Sequence, residues 1–137
     1  MCHRTNYEAS KQNVACDTPL SQFTGQRYLA LETFRRNGKG VKTTVWFAED
    51  AGKLYIWTFA SSGKIRRMRA NSTVRLCPSS VRGAPKGTWI EARSRVLDQN
   101  ESVRPRELIS KKYGVQFWLL DHLNRGGRVL VELSPSP

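Results

Sequence analysis

Hydrophobic and polar residues alternate along several short segments of this chain, with the period of two that is typical of β-strands. The clearest case is Thr88–Leu97, where Ile90, Ala92, Ser94 and Val96 alternate with charged or aromatic neighbours. Five further segments are rich in β-branched and aromatic residues and are also predicted to be strands: 27–34, 41–48, 53–59, 73–77 and 128–133. The pattern therefore predicts six strands.

Helical spacing appears between these strands. Ser62–Asn71 is predicted to be a helix that buries Ile65 and Met68, and a short helix is expected near residues 19–24. A third helix is predicted to start at a Ser102 cap and to stop at Gly114, followed by an apolar helix over 115–123. Strands and helices do not alternate strictly, so the pattern favours a mainly β (β+α) antiparallel barrel with peripheral helices over a doubly wound sheet.

The length and the cysteine content set the domain and compartment expectations. A chain of 137 residues suits one domain, expected over 19–137, after a flexible arm at 1–18 that lacks periodicity. No apolar run approaches the roughly 18 residues of a membrane span, so we expect no membrane span and a cytoplasmic protein. Three cysteines without CxxC spacing and two isolated histidines suggest neither disulfides nor a metal site.

The charge distribution points to an anionic ligand. The formal net charge is +12, and the stretch between Asp50 and Glu91 contains eight Lys or Arg residues and no acid. In it, an aromatic strand leads into Ser61, Ser62, Gly63 and Lys64 at a predicted helix start, where free backbone N–H groups favour an anion. Arg67 follows Lys64 by three residues and can share its face. We predict a phosphate site beside a flat aromatic ligand; the alternative is a solvated basic surface.

Four short motifs occur in a familiar order: Leu-Glu-Thr-Phe-Arg-Arg-Asn-Gly at 31–38, Thr-Thr-Val-Trp-Phe at 43–47, Leu-Tyr-Ile-Trp-Thr at 54–58 and Ser-Gly-Lys-Ile-Arg-Arg-Met-Arg at 62–69. Later segments at 89–97 and 111–114 also match. The chain resembles the pyridoxamine 5′-phosphate oxidase-like split β-barrel superfamily. Within it, the motifs are most similar to the flavin/deazaflavin oxidoreductases that use coenzyme F-420.

The resemblance implies a six-stranded antiparallel split β-barrel that forms a homodimer, with cofactors held between the subunits. It further implies that the cofactor, F-420 or alternatively FMN, carries a hydride to a small organic acceptor, so that no side chain need act as a nucleophile. The positions that match the cofactor-binding strands are Val41, Lys42, Thr43, Thr44, Trp57 and Thr58. Arg82 and Lys86, in a long loop predicted over 78–87, could reach an anionic tail of the cofactor.

Three other hypotheses about the function stay open. An FMN-binding oxidoreductase or flavin-binding protein of the same fold would use the same site. A cofactor or haem-breakdown binder could have the barrel without turnover. A basic nucleic-acid-binding domain would instead bind arbitrary single strands with steep salt dependence. The closer motif match favours a small-molecule substrate over a nucleic-acid partner.

Overall fold

The computed structural model describes residues 20–123 and 127–136, so the predicted N-terminal arm lies outside the described residues. A short 3-10 helix at Ser21–Phe23 precedes the first strand. The strands are β1 (Tyr28–Phe34), β2 (Gly40–Val45), β3 (Phe47–Asp50), β4 (Lys53–Phe59), β5 (Thr73–Ser79), β6 (Ile90–Val96) and β7 (Arg128–Pro135), and the helices are α1 (Gly63–Ala70), α2 (Gln99–Tyr113) and α3 (Val115–Leu123).

All the strand pairs are antiparallel, in the order β2-β1-β5-β6-β7-β4-β3. The predicted mainly β, antiparallel class is therefore confirmed. The strand count differs by one, because the segment predicted as a single strand over 41–48 is divided at Trp46. Its first half pairs with β1 and its second half with β4, so one continuous stretch of chain forms both ends of the sheet. This connection curls the sheet into a barrel.

Alternating side chains of the strands fill the barrel interior. Leu29 and Leu31 of β1 pack with Ile56 of β4 and Val131 of β7 in one buried cluster. Two side chains of α1, Ile65 and Met68, join this cluster as the sequence predicted. The alternation predicted for β6 is also confirmed, since Ala92 is buried whereas Glu91, Arg93 and Arg95 are exposed. Apolar burial at these positions fixes which face of each strand points inward.

A second apolar cluster lies outside the barrel, where α2 and α3 pack on the sheet. It contains Ile109 and Tyr113 of α2, Phe117 of α3, and Trp57 and Leu130 of the strands below. The tryptophan Trp46, at the division between β2 and β3, packs against the same cluster. The helices thus hold the outer surface of the sheet next to the barrel corner. No helix in the described ranges is long and apolar enough to cross a membrane.

The predicted start of α2 was wrong. Asp98, not Ser102, is the N-cap: its carboxylate accepts a hydrogen bond from the Glu101 backbone N–H at 2.8 Å, and Glu101 reaches back to the Asp98 N–H at 3.4 Å. This reciprocal pair is a capping box, which satisfies two amides at once and so outcompetes a single hydroxyl. Ser102 lies inside the helix and donates to the Asp98 carbonyl. The predicted stop at Gly114 is confirmed, with a φ of 56°.

The β3–β4 turn has a backbone geometry that suits its residues. The β3–β4 hairpin turns on Ala51 and Gly52, whose φ values of 52° and 79° match a two-residue type I′ turn. The loop predicted over 78–87 is shifted to 80–89, because β5 extends to Ser79 and β6 begins at Ile90. A bridge between Ser79 and Pro85 ties the remainder back onto this strand.

Tyr113 holds the barrel corner in place. Its hydroxyl accepts a hydrogen bond from the Phe47 backbone N–H at 3.1 Å and donates to the Arg27 carbonyl. The neighbouring Lys112 donates to the Phe47 carbonyl at 2.9 Å, with its Nζ 3.5 Å from the centre of the Phe47 ring. Burial, and then Arg27, lower the pKa of Lys112 to about 8. Two side chains of α2 therefore bind the first residue after the strand division.

Replacing Tyr113 by Phe removes the acceptor of the buried Phe47 amide. We expect Y113F to lower the free energy of unfolding by about 1–3 kcal/mol at pH 7, as measured by urea denaturation. Burial raises the pKa of Tyr113 to about 12, from 10.0 when unfolded. The unfolded phenol therefore ionises first, so this contribution is present below pH 10 and is lost as the pH rises toward 12. The difference between wild type and Y113F should shrink over that interval.

The control is Tyr28→Phe, which removes the hydroxyl of a half-buried tyrosine for which no hydrogen bond is found within residues 20–123 and 127–136. Its unfolding free energy should change by less than about 0.5 kcal/mol. Equal effects of the two variants would mean that the Tyr113 hydrogen bonds do not secure the corner.

Candidate functional site

A groove of about 230 Å³ opens at the barrel corner. We call it the tryptophan groove, after Trp46 and Trp57 in its wall. It combines aromatic, hydroxyl and cationic side chains from β2, β4, α1, α3 and β7. Its lining residues are Thr44, Val45, Trp46, Trp57, Thr58, Phe59, Lys64, Leu120 and Arg128.

Stacked rings fix the aromatic wall of this groove. The Trp46 ring lies 4.3 Å from that of Tyr113 at an interplanar angle of 3°, and 6.0 Å from that of Trp57 at 19°. Trp57 in turn packs against Phe117, with 4.5 Å between the ring centres. Because Tyr113 is itself hydrogen-bonded to the corner, the orientation of Trp46 is set by two independent contacts. A preformed aromatic surface of this kind suits a flat ligand.

Arg128, the first residue of β7, covers the far end of the same wall. Its guanidinium carbon lies 4.6 Å from the centre of the Trp57 ring and 3.9 Å from that of Phe59. One of its nitrogens donates to the Leu120 carbonyl of α3 at 3.1 Å. The arginine therefore links the strand wall to α3 and keeps a positive charge over two aromatic rings.

The start of α1 lies at the other side of the groove. Ser62 occupies the N-cap position with extended backbone, yet its side chain makes no capping hydrogen bond. Its hydroxyl oxygen is buried without a hydrogen-bond partner, which is costly unless a ligand supplies one. The first-turn N–H groups of any helix also lack intrahelical acceptors, and no acidic side chain occurs in this first turn. Donors of this kind at a helix start favour an anion, so the phosphate site expected from the sequence stays a prediction here.

Lys64, in the first turn of α1, contributes a cation to the tryptophan groove. It lines the tryptophan groove and is half-buried. Burial, and then the nearby charge of Arg67, lower the pKa of Lys64 below its ordinary value of 10.5. A bound anion would offset both effects, because it restores a favourable partner for the charged form.

Arg67 does not share the tryptophan groove with Lys64. Its Nε donates to the buried Thr33 hydroxyl at 2.6 Å, and the side chain lines a second groove of about 480 Å³ on the other side of α1. We call this second space the arginine groove. It is lined by Phe34, Arg35, Arg36, Gly63, Arg66, Arg67 and Ala70. Gly63 thus separates two basic grooves at the helix start.

The four predicted positions of β2 divide by strand alternation. Thr44 is exposed in the tryptophan groove, whereas Val41 and Thr43 face inward opposite Thr33 and Leu31. Thr43 is notable because its hydroxyl, like that of Ser62, is buried without a hydrogen-bond partner. Lys42 lies on the outer face, with its Nζ 5.1 Å from the centre of the Trp89 ring. The structure therefore brings only one of these four side chains into the groove.

The remaining predicted residues lie at the rim. Thr58 lines the groove from a nearly buried position, and Ser61 is exposed immediately before the cap of α1. The loop that carries Arg82 and Lys86 approaches the groove at one point: a Cβ atom added at Gly83 would lie 3.0 Å from the Thr44 hydroxyl. Both cationic side chains of the loop are exposed and line neither groove.

Sequence reasoning missed several groove residues. Trp46 was placed within a continuous strand, which concealed its position at the corner. Leu120 and Arg128 come from elements far along the chain, and no motif connects them to β4. Arg35 and Arg36 follow β1 in a turn, and their closeness to α1 is seen only in the shared lining of the arginine groove.

Comparison with solved structures identifies the architecture. Over 82% of this chain and 84% of the other, the haem storage protein HutZ from Vibrio cholerae superposes with a TM-score of 0.67 at 12% identity. A candidate pyridoxamine 5′-phosphate oxidase from Listeria innocua gives 0.61 at 16% identity, over 86% of this chain and 90% of that one. This chain has the pyridoxamine 5′-phosphate oxidase-like split-barrel fold. The resemblance seen in the motifs is confirmed at this level.

A third similar structure is an FAD-binding protein from Mesorhizobium loti. It superposes with a TM-score of 0.63 at 17% identity, over 85% of this chain and 84% of that one. Split barrels of this kind thus include flavin-binding and haem-storing proteins. No family model matches the sequence, and no curated protein is significantly similar to it.

The expected anion contact at the start of α1 can be tested by adding a side chain at Gly63. An added Cβ would lie 2.9 Å from Arg67 Nη1, the end of a flexible side chain that can shift. We expect Gly63→Ala to leave the free energy of unfolding unchanged within about 1 kcal/mol, because alanine is the better helix former. It should nevertheless weaken the binding of a phosphate-bearing cofactor several-fold, since the methyl group would lie among the anion donors. Isothermal titration calorimetry with FMN measures this effect.

Gly38→Ala is a poor control because Gly38 has a positive φ of 84°. A better one is Ser21→Ala, at an exposed position that lines neither groove, which should leave FMN affinity unchanged. Unchanged FMN affinity in G63A would exclude the helix start as the phosphate contact.

Proposed function

We propose that this chain is a cytoplasmic oxidoreductase that uses a deazaflavin, coenzyme F-420, to transfer a hydride to a small organic acceptor, with FMN as the alternative cofactor. The observation that carries the proposal is the tryptophan groove, in which a stacked aromatic wall and Lys64 line one space. Ser62, two residues before Lys64, has a buried hydroxyl without a partner in the described part of the chain. A flat ring and a phosphate are the two parts that such a groove can hold together.

The residues present fit a flavin-like group. The Ser62 hydroxyl is buried without a partner in the described part of the chain, and an acceptor of a ligand bound at the start of α1 would satisfy it. Lys64 and the first-turn amides of α1 would hold the phosphate, while Thr44 and Thr58 would meet the polar edge of the ring system. When bound, the cofactor supplies the hydride chemistry. The protein orients it and keeps water from its buried face.

Charge favours F-420 over FMN as the cofactor. FMN carries one phosphate, whereas F-420 adds an oligoglutamate tail with several carboxylates. The net charge of +12 and the basic grooves on both sides of α1 attract the more highly charged ligand more strongly. The same argument extends to a nucleic acid, but the stacked walls of the tryptophan groove are matched to one flat ligand rather than to a strand of bases.

We also propose that the protein is a homodimer with the cofactor at the subunit interface. Several large apolar side chains next to the tryptophan groove are exposed, including Phe59 at 41% and Leu119 at 42%. The groove volume of about 230 Å³ is below that of a typical closed ligand site, as expected for half of a shared site. Exposed apolar surface beside an open groove suits a second copy of the chain.

The cofactor is tested by titrating the purified protein with F-420 and with FMN while following quenching of ligand fluorescence. We expect tighter binding of F-420, and we expect Lys64→Gln to weaken binding of both by about one to two orders of magnitude, the loss of one charge-assisted hydrogen bond. Hydride transfer is then followed by the loss of reduced F-420 absorbance with candidate acceptors.

The matched control is Lys111→Gln, which removes the same charge from an exposed position on α2. Its affinities should change less than about twofold. FMN binding without F-420 binding would reverse the cofactor ranking, and binding of haem but neither flavin would replace the proposal with a haem carrier of this fold.

The dimer is tested at Leu119, whose side chain is exposed on α3. We expect Leu119→Asp to convert the dimer into a monomer, because the substitution places a carboxylate in the proposed apolar contact. Light scattering after size-exclusion chromatography measures the mass, with Val103→Asp as the control at an exposed apolar position on α2. A wild-type protein that is monomeric at all concentrations would refute the shared site.

A further inference from the structure

Four arginines line the arginine groove, and none of them forms an ion pair with an acid within residues 20–123 and 127–136. Arg35 and Arg36 come from the β1–β2 turn, and Arg66 and Arg67 come from α1. The ion pairs found in the described ranges use other arginines, such as Arg75 with Glu32 and Arg95 with Glu132. The acids of the neighbouring strands are thus bound elsewhere, and the groove keeps an uncompensated positive charge.

The position of these cations on the helix is unfavourable in the free protein. A Cβ atom added at Gly63 would lie 2.9 Å from Arg67 Nη1 and 3.8 Å from Arg66 Nη2, so both head groups fold back to the first turn of α1. That end of a helix carries positive partial charge, which repels cations and favours anions. A multiply charged anion bound there would offset the repulsion among the gathered guanidinium groups.

The crowding of the guanidinium groups affects the pKa of Arg67. Burial, and then the charges of Arg35 and Arg66, lower its pKa from the ordinary value. Arginines tolerate such crowding because they hydrogen-bond anions with a planar, bidentate geometry. Several of them around one space are suited to adjacent charges, such as those of a diphosphate or a chain of carboxylates.

The arginine groove lies away from the loop that carries Arg82 and Lys86. Gly83 of the loop approaches Thr44, which pairs with Ala30, whereas Phe34 of the groove is four residues further along β1. Four residues of a strand span about 13 Å. Gly63 lines the arginine groove and the adjacent Lys64 lines the tryptophan groove, so a ligand phosphate at Lys64 would lie close to the arginine groove.

We infer that the arginine groove binds a multiply charged anionic extension of the cofactor, either a diphosphate or an oligocarboxylate, beyond the phosphate at Lys64. This inference rests on the proposed function for the identity of the cofactor. The groove itself selects cofactors by the number and spacing of their negative charges. In this arrangement the arginine groove, and not Arg82 and Lys86, contacts the anionic tail of the cofactor.

The groove is tested first without any flavin, by calorimetric titration with inorganic tripolyphosphate. The Arg35→Gln/Arg36→Gln variant should bind it at least about tenfold more weakly than wild type, because two charge-assisted contacts are removed. The matched control, Arg69→Gln/Arg93→Gln, loses the same charge at exposed positions that do not line the groove. It should stay within about twofold of wild type.

Two comparisons then identify the extension: F-420 against its tail-less deazaflavin precursor, and FAD against FMN. Wild type should prefer the more charged member of at least one pair, and the Arg35→Gln/Arg36→Gln variant should lose that preference while it binds the less charged member as before. Loss of preference within the deazaflavin pair indicates the oligocarboxylate, and loss within the flavin pair indicates the diphosphate. An Arg82→Gln/Lys86→Gln variant should keep the preference.

Equal weakening of tripolyphosphate binding in both double arginine variants would show a mere effect of net charge and would overturn the inference. So would cofactor preferences that survive the loss of Arg35 and Arg36. If no flavin or deazaflavin binds to wild type, the proposed function fails. The cofactor-extension role of the groove then fails with it, while the tripolyphosphate titration still decides whether the groove is an anion site.

Discussion

The corner at Trp46 is the constraint on which the rest of the molecule depends. Here the chain leaves one end of the sheet and joins the other, so the barrel exists only if this corner keeps its geometry. Tyr113 secures it by binding the Phe47 amide and by stacking on the Trp46 ring. Since Trp46 also lines the tryptophan groove, the contacts that close the barrel also shape the candidate site.

The charged groups at the start of α1, unlike the contacts at the corner, are unfavourable for the free protein. Several acids on the barrel are paired with cations, as in the contacts of Glu132 with Lys53 and Arg95. The start of α1 instead combines cations with the positive end of a helix and a buried hydroxyl that lacks a partner. Such a local cost persists because the surrounding core holds the helix through Ile65 and Met68. A rigid scaffold that maintains an unfavourable charge cluster is the arrangement expected of a binding site.

The sequence predicts features that depend on local pattern. The alternation in β6, the buried face of α1 and the stop at Gly114 each follow from the spacing or the backbone freedom of adjacent residues, and each is confirmed. The prediction of Ser102 as the cap was wrong because the cap is a pair of residues, Asp98 and Glu101, that stabilise each other. The division at Trp46 could not be predicted from its neighbours, since apolar residues continue across it from Val45 to Ala48. It arises from pairing with strands distant in the chain.

The same distinction holds for the grooves. Ser62, Gly63 and Lys64 are consecutive, so their shared location was visible in the sequence. Arg67 was assigned to the face of Lys64 by helical spacing alone, but the buried Thr33 hydroxyl draws its side chain to the other side. The contributions of Arg35 and Arg128 depend on strand register and on long-range packing.

The covalent link between the two ends of the sheet also bears on self-association. Open strand edges offer backbone groups to other chains and are a common origin of fibrous aggregates. In this barrel one terminal strand, β2, continues directly into the other, β3, and α2 packs beside β3. Because β2 also contacts β4, the barrel corner restricts access to both terminal strands, which favours docking of a second copy through side chains over strand pairing.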